Sequence, residues 1–465
     1  MLAWLGLATI VVFTALVMAK RLSAVAALVL VPTVFGLVGG FGGQLGDMMV
    51  SGIVDTAPTA VLLTFALLFF LVMTEAGLFE PLVRRILAVV GDDPVRIAMG
   101  TAVLCTFLSI DGDGSTAAFV VITSMYPIYR QVGMNPIIIA LVLAMISPTM
   151  NWLPWGGPAA RMATSLRIDI ADVVIPMLPA LVLTVLGAYV LVYVLGRRER
   201  RRINALKAVP VGTRSTVDAG TGGGSGGSAD DTGPAGPYGP DTPADAAADV
   251  DVVGSPRVPI PTRYLWFNLT LTIAFIASMA IELLPLPALA MIAFSIAVTV
   301  NWPNLKVQNE KLKPHMGTVV TVISLILAAG AFSGIINETG MVSAMADGLV
   351  THLPEAWGGA FAFVTALSSG PLLFILSNDS FYFGVVPILA EAGAAFHIPP
   401  EVIAHSVLPG IYLHTLSPLS APIYLVVALL RTDFGAVQRF AAPWLIAITL
   451  IAIAAAAVTG AVYVV

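Results

Sequence analysis

Charge is scarce in this sequence. Only 11% of its 465 residues are Asp, Glu, Lys or Arg, against about 25% in soluble domains, which excludes an ordinary water-soluble domain. Cysteine is nearly absent. Cys105 stands alone, so no intrachain disulfide can form, and it reads as a small packing residue. No Walker loop, dinucleotide fingerprint, zinc-ligand spacing or nucleophile elbow occurs, so the sequence offers no enzyme signature. The net charge of −5 is modest. It sits mostly in one polar stretch and gives no argument for nucleic-acid binding.

What remains is apolar. Hydrophobic residues make up 58% of the chain. Runs such as "LAWLGLATIVVFTALVMA" (2–19) and "PTAVLLTFALLFFLVM" (58–73) approach the roughly 20 residues that span a bilayer. Their apolar residues do not keep to one helical stripe, the pattern of a helix embedded in lipid. The runs recur along the whole length, so the sequence predicts an all-α, multi-pass membrane protein. The first run could imitate a signal peptide, but Lys20 and Arg21 follow it rather than precede it, and it is expected to be retained.

One stretch breaks the pattern. Residues 203–262 include "TGGGSGGSADDTGPAGPYGPDTPADAAADVD". Such a segment buries too little apolar surface to offset its ordering entropy and is expected to be a disordered linker. It separates an N-terminal half, 1–202, from a C-terminal half, 263–465. The halves resemble each other. "TEAGLFEPL" (74–82) matches "NETGMVSAM" (337–345), "IDGDGS" (110–115) matches "LSNDS" (376–380), and "LPWGGP" (153–158) matches "LSPLSAP" (416–422). Three matches in order at nearly constant offset read as a duplication, a signature of many transporters.

Spans are expected at 2–19, 22–40, 57–74, 134–166 (broken) and 173–195, then at 264–283, 286–301, 316–336, 401–430 (broken) and 440–462. Residues 94–130 and 358–396 each read as two apolar arms around a polar tip. Five crossings per half is an odd number, so the two repeats must be inverted. With both termini outside, nearly every Lys and Arg, including the "RRERRR" run (197–202) and those of the linker, falls on the cytoplasmic side. Only Arg161 and Arg167 do not. The charges fit each hairpin equally well as two full spans. The Gly-rich tips favour re-entrant hairpins, because irregular backbone at membrane depth is tolerated only where it is buried or lines a cavity.

Four irregular segments are therefore expected to meet at the midplane: tips 109–115 and 377–380, and breaks "SPTMNWLPWGGP" (147–158) and "HTLSPLSAP" (414–422). Prolines supply the breaks, and freed helix N-termini attract anions. Asp111, Asp113 and Asp379, helped by Asn378, are candidate metal or proton sites. Gly112, Gly114, Ser115, Asn151, Gly156, Gly157, Ser377, Asn378, Ser380, Thr415, Ser417 and Ser420 are candidate substrate-binding residues. An oxygen-rich, sulfur-poor set suits a hard cation such as Mg²⁺ or Ca²⁺. The same carboxylates can carry protons and would repel a bare anion, though not one already holding a divalent metal. His414 and Arg161 are the remaining ionisable groups at the breaks, and either can face a substrate carboxylate. The plainer alternatives are that Asp111 and Asp113 cap a helix, that His414 is an interior hydrogen-bonding residue, and that Arg161 pairs elsewhere. Glu75 and Glu338 recur at span ends and read as interfacial or helix-packing residues.

"DGDGST", "NWLPWGGP", "SNDSFYFGVVP" and "SPLSAP" resemble the citrate–divalent metal:proton symporter family, CitMHS, of the ion transporter superfamily. The resemblance covers nearly all of the chain outside the linker. It implies a plasma-membrane protein that takes up a citrate–metal complex with protons. It also implies a homodimer embedded in lipid, a scaffold with an elevator-type transport domain, and tip residues 111–115 and 377–380 as the places that hold substrate and coupling ions. The rivals are a metal-independent carboxylate or gluconate permease and a Na⁺/H⁺-type cation antiporter.

Overall fold

The structure is a computed structural model. It describes residues 1–19, 21–110, 112, 114–208, 262–281, 283–352 and 358–463. The core of the expected linker, 209–261, lies outside the described residues. Every regular element among those described is helical.

The chain begins with α1 (Leu2–Met18), α2 (Ala24–Val38), the long α3 (Leu45–Glu75) and α4 (Glu80–Val90). A pair of arms follows, α5 (Pro94–Leu108) and α6 (Gly114–Val132). Then come α7 (Ile137–Met150), α8 (Gly157–Leu166), the short α9 (Ile170–Val174) and the long α10 (Leu178–Ala208). After the undescribed stretch the order recurs: α11 (Thr262–Ala280), α12 (Leu286–Asn301), α13 (Leu305–Leu312), α14 (Met316–Glu338) and α15 (Met341–His352). The second pair of arms is α16 (Phe361–Ile375) and α17 (Val386–Ala394), the latter entered through a π-helical turn, Ser380–Val385. Next are α18 (Pro400–Val407), α19 (Ile411–His414), α20 (Ala421–Leu430) and α21 (Phe434–Val458). Among the described residues, four helical stretches are long and apolar enough to cross a membrane: Leu45–Glu75, Ile170–Leu206, Leu305–Glu338 and Phe434–Val458.

Three boundaries differ from the sequence reading. Helix α3 starts at Leu45, well before 57. Asp47 and Asp55 make that first stretch look polar, but Asp55 pairs with Arg167 at 2.8 Å, so the helix continues through it. Helix α10 runs to Ala208, past the expected edge at 202. Its basic end is held by Glu199, which pairs with Arg202 (Nε to Oε2, 2.9 Å), and by Arg200, which donates to Asp93 (Nε to Oδ1, 2.9 Å). Helix α13 was not expected, and its Lys311 pairs with Glu75 at 2.8 Å.

Asp93 lies outside the membrane-spanning segments and also caps α5 by accepting from the Val95 N–H. The Arg200 guanidinium holds its carboxyl below the usual range. Its stabilising contribution is therefore complete above the ordinary aspartate pKa and is lost as pH falls through the lowered value.

Packing divides the helices into two groups. Helix α3 lies against α14 and α12, with α2 also on α14 and α1 on α2. The α3–α14 crossing is backbone to backbone: a Cβ on Gly52 would sit 2.0 Å from the Gly330 carbonyl oxygen, and one on Gly334 would sit 2.1 Å from that of Met48. Small residues allow this approach where lipid supplies no hydrophobic drive between helices. In the second group α5 packs on α7 and α10, α16 on α18 and α19, α10 on α21 and α6 on α20. Helix α8 touches both groups, the first through α3 and α14 and the second through α17 and α18. Arg167, just past its end, pairs with Asp55 of α3 and with Glu338 of α14 at 3.0 Å.

Candidate functional site

The first polar tip follows α5. Asp111 and Asp113 lie outside the described residues, as does the side chain of Ser115. Gly112 between them has φ +78°, a backbone conformation that favours glycine. The tip is pinned from the first break: the Trp155 indole N–H donates to the Ile110 carbonyl at 2.6 Å. Trp155 itself stacks on Phe275 of α11 (5.5 Å between centroids) and meets Phe70 of α3 (4.8 Å).

That break separates α7 from α8 at residues 151–156. Pro148 precedes it and Pro158 sits in the first turn of α8. Proline removes a backbone donor in the first case and suits a helix start in the second. Gly156 precedes α8 without a side-chain cap, leaving its first N–H groups to a ligand or water.

The second tip and break are tied together in a comparable way. Ser377 accepts from the Ser380 N–H (3.2 Å) and donates to its Oγ (2.8 Å). The Ser417 hydroxyl donates to the Phe374 carbonyl at 2.7 Å. His414 Nδ1 meets the Leu373 carbonyl at 2.7 Å. A carbonyl only accepts, so this nitrogen carries the proton, leaving Nε2 as an acceptor when the ring is neutral. Helix α20 starts after Ser420, again without a side-chain cap. Helices α7 and α19, which lead into the two breaks, touch where the Thr149 and Tyr412 hydroxyls meet at 2.7 Å.

All four segments border one cavity of about 490 Å³, within the ~300–1,000 Å³ range of small-molecule sites. Gly112 and Gly114 line it from the first tip, and Asn151, Gly157 and Arg161 from the first break. Ser377, Asn378 and Asp379 line it from the second tip, and His414, Thr415 and Ser420 from the second break. Three expected residues do not. Gly156 is packed against the Asn151 backbone, where a Cβ would lie 2.0 Å from the carbonyl oxygen. Ser380 and Ser417 are fully buried and used in the hydrogen bonds above. Sequence reasoning missed the apolar wall, which includes Leu143, Ile411, Leu419, Ile423 and Val426. Apolar residues in an apolar span carry no local signal of facing a cavity.

One ion pair crosses the cavity. Arg161 Nε of α8 donates to Asp379 Oδ1 of the second tip at 2.8 Å, with side chains 19% and 17% exposed. The two charges cancel. The Asn151 and Asn378 amide oxygens, one from each half, are buried without a hydrogen-bond partner. Among the described residues no group of three His, Cys, Asp or Glu side chains could hold a metal ion.

Gly157 gives Arg161 its room, since a Cβ there would lie 2.7 Å from Nη1. The obstructed atom ends a flexible side chain, so Gly157→Ala is expected to leave thermal stability nearly unchanged, within about 0.5 kcal/mol. It should nevertheless raise the half-saturating substrate concentration about tenfold, the equivalent of ~1.4 kcal/mol. Uptake kinetics and a melting curve on the same preparation check this.

The helix arrangement defines the class first: an all-helical fold whose long apolar helices are fit to cross a membrane. It is similar to the crystal structure of the Alcanivorax borkumensis YdaH transporter, with a TM-score of 0.58 over 89% of this chain and 88% of that one at 15% identity. The chain belongs to the CitMHS family, described as citrate transporter, which it matches over residues 8–410. It is 40% identical over 460 residues to a protein of Bacillus subtilis (strain 168) named citrate transporter, covering 99% of both chains. It is 38% identical over 463 residues, again covering 99% of both, to a Mg(2+)/citrate complex secondary transporter from the same strain.

Proposed function

We propose that this protein takes up citrate chelated to a divalent cation of the Mg²⁺ or Ca²⁺ type, in symport with protons. The observation that carries this reading is the cavity's charge pattern. Among the described residues, an Arg–Asp pair, two unpartnered amide oxygens and two uncapped helix starts surround a space of small-molecule size. A fully ionised tricarboxylate with one divalent cation carries a single net negative charge. Its carboxylates suit Arg161 and the N-termini of α8 and α20. Its metal suits oxygen donors such as Asp379, Asn151 and Asn378. Protons on one or more of Asp111, Asp113 and Asp379 neutralise the tips, so that only a filled or neutralised site passes the low-dielectric barrier. The relative named for a Mg(2+)/citrate complex supports this cargo.

The same reading makes the halves inverted repeats, 1–202 and 263–465, in a homodimer in the plasma membrane, with termini outside and linker inside. Helices α2, α3, α12 and α14 serve as scaffold, and the two hairpins with the broken helices move as an elevator. The Arg167 pairs with Asp55 and Glu338 join the two bodies at one end of α8.

Radiolabelled citrate uptake into proteoliposomes, across divalent ions and with or without a pH gradient, tests the proposal. Uptake should need both a divalent ion and an inward proton gradient. Uptake that persists undiminished in chelator would instead identify a metal-independent permease. Cation-driven pH change without any carboxylate would identify an antiporter.

A further inference from the structure

Among the described residues lining the cavity, Arg161 is the only Arg or Lys, and its Nε is already occupied by Asp379. The partners come from opposite halves of the chain, one from the first turns of α8 and the other from the second tip, just before the π-helical turn. Both side chains are mostly buried. Both border the open cavity. Asp379 therefore stands where a substrate carboxylate would stand.

Guanidinium recognises carboxylate through paired N–H donors. A cargo carboxylate arriving at Arg161 must displace the Asp379 carboxylate or lie beside it. Either outcome leaves two carboxylates close together in a site of low dielectric, where like charges repel strongly. A divalent cation carried by the cargo removes that repulsion, because it binds carboxylate oxygens from both sides. A cargo without a metal has no such remedy.

Resting on the metal–citrate reading above, we propose that Asp379 is the residue that sets the metal requirement. It acts as a resident carboxylate on Arg161, so that an organic acid binds well only when it brings its own cation. The charge, rather than the shape, of Asp379 excludes the bare anion. Replacing it with asparagine keeps an oxygen that can accept from Arg161 Nε and removes one negative charge. The site then tolerates a metal-free carboxylate.

The test uses the full-length protein in proteoliposomes. The half-saturating citrate concentration is measured in excess Mg²⁺ and in chelator, and the ratio of the two is compared between proteins. For wild type the ratio is large. For Asp379→Asn it should fall at least about tenfold through a lower half-saturating concentration in chelator, the scale of one charge-assisted hydrogen bond or ion pair. Asp379→Ser, measured alongside, should fall likewise, so that poor folding of one variant does not decide the result. Arg161→Gln is read separately. It should weaken uptake of metal–citrate at least about tenfold and gain no metal-free uptake. A metal-dependent wild type whose ratio is unchanged in Asp379→Asn or Asp379→Ser overturns this inference alone. An Arg161→Gln protein that transports metal–citrate normally overturns it together with the placing of a cargo carboxylate on Arg161. A wild type that takes up citrate equally well in chelator overturns the metal–citrate reading itself.

Discussion

Gly52→Ala is expected to cost about 3 kcal/mol of stability or more, the upper range for overpacking a tight contact. The added methyl would stand 2.0 Å from the Gly330 carbonyl oxygen and 2.8 Å from the Gly334 N and Cα. All are backbone atoms of α14, so no side chain can turn away to make room. The two helices would have to separate along their central contact, where Gly334 and Gly330 approach Met48, Gly52 and Thr56 just as closely from the other side. Gly46 provides the control. It lies in the same helix with nothing within 4 Å of its would-be Cβ, and alanine there should be neutral or slightly stabilising. Thermal unfolding of both variants in detergent checks the pair. Equal melting temperatures would show that the α3–α14 crossing is not as close as described.

Gly156→Ala should abolish function, lowering uptake at least about 100-fold, roughly 2.7 kcal/mol of lost binding or more. Its backbone, at φ −73° and ψ 137°, suits any residue, so strain in the turn is not the cause. The cause is contact. A Cβ would meet the Asn151 carbonyl oxygen at 2.0 Å, its carbon at 2.5 Å and its Cα at 2.8 Å. Asn151 lines the cavity, so the displacement reshapes the break itself. The neighbouring Gly157→Ala meets only the end of the Arg161 side chain and should leave the fold intact. Uptake and melting curves for the two variants separate these roles. A Gly156→Ala protein with normal uptake would mean that the break tolerates the displacement.

Much of this was legible in the sequence, and the limits have physical causes. Proline, glycine and isolated polar residues inside apolar runs mark places where a helix cannot continue, so the tips and breaks stand out. The four segments quoted from the sequence border one cavity. Whether a given residue faces that cavity is not written locally. Gly156 and Gly157 are adjacent in sequence, yet one packs on backbone and the other borders the open space. Ser377 and Ser380 share a tip, but only the first lines the cavity. The start of α3 was hidden because Asp55 looks out of place until Arg167 is seen beside it. Arg161 and Arg167, the two cations that did not fit the charge rule, are both held in ion pairs.

One sequence signal was overlooked. "LRID" (166–169) and "LRTD" (430–433) match at the same offset as the other repeats. In each, the arginine closes a broken-helix segment in left-handed backbone (φ 56° at Arg167, 50° at Arg431), and the aspartate caps the next helix. Thr149 and Tyr412, which touch each other, lie 263 positions apart.

In the proposed mechanism the cargo binds in one cavity built by two tips and two breaks. A density map of the full-length protein in lipid nanodiscs, with saturating magnesium citrate, tests it most directly. The expected result is density of tricarboxylate size between α8 and the second tip, with a carboxylate on Arg161 and a cation near Asp379. A map at comparable resolution with that space empty, or with the ligand bound elsewhere, would contradict it.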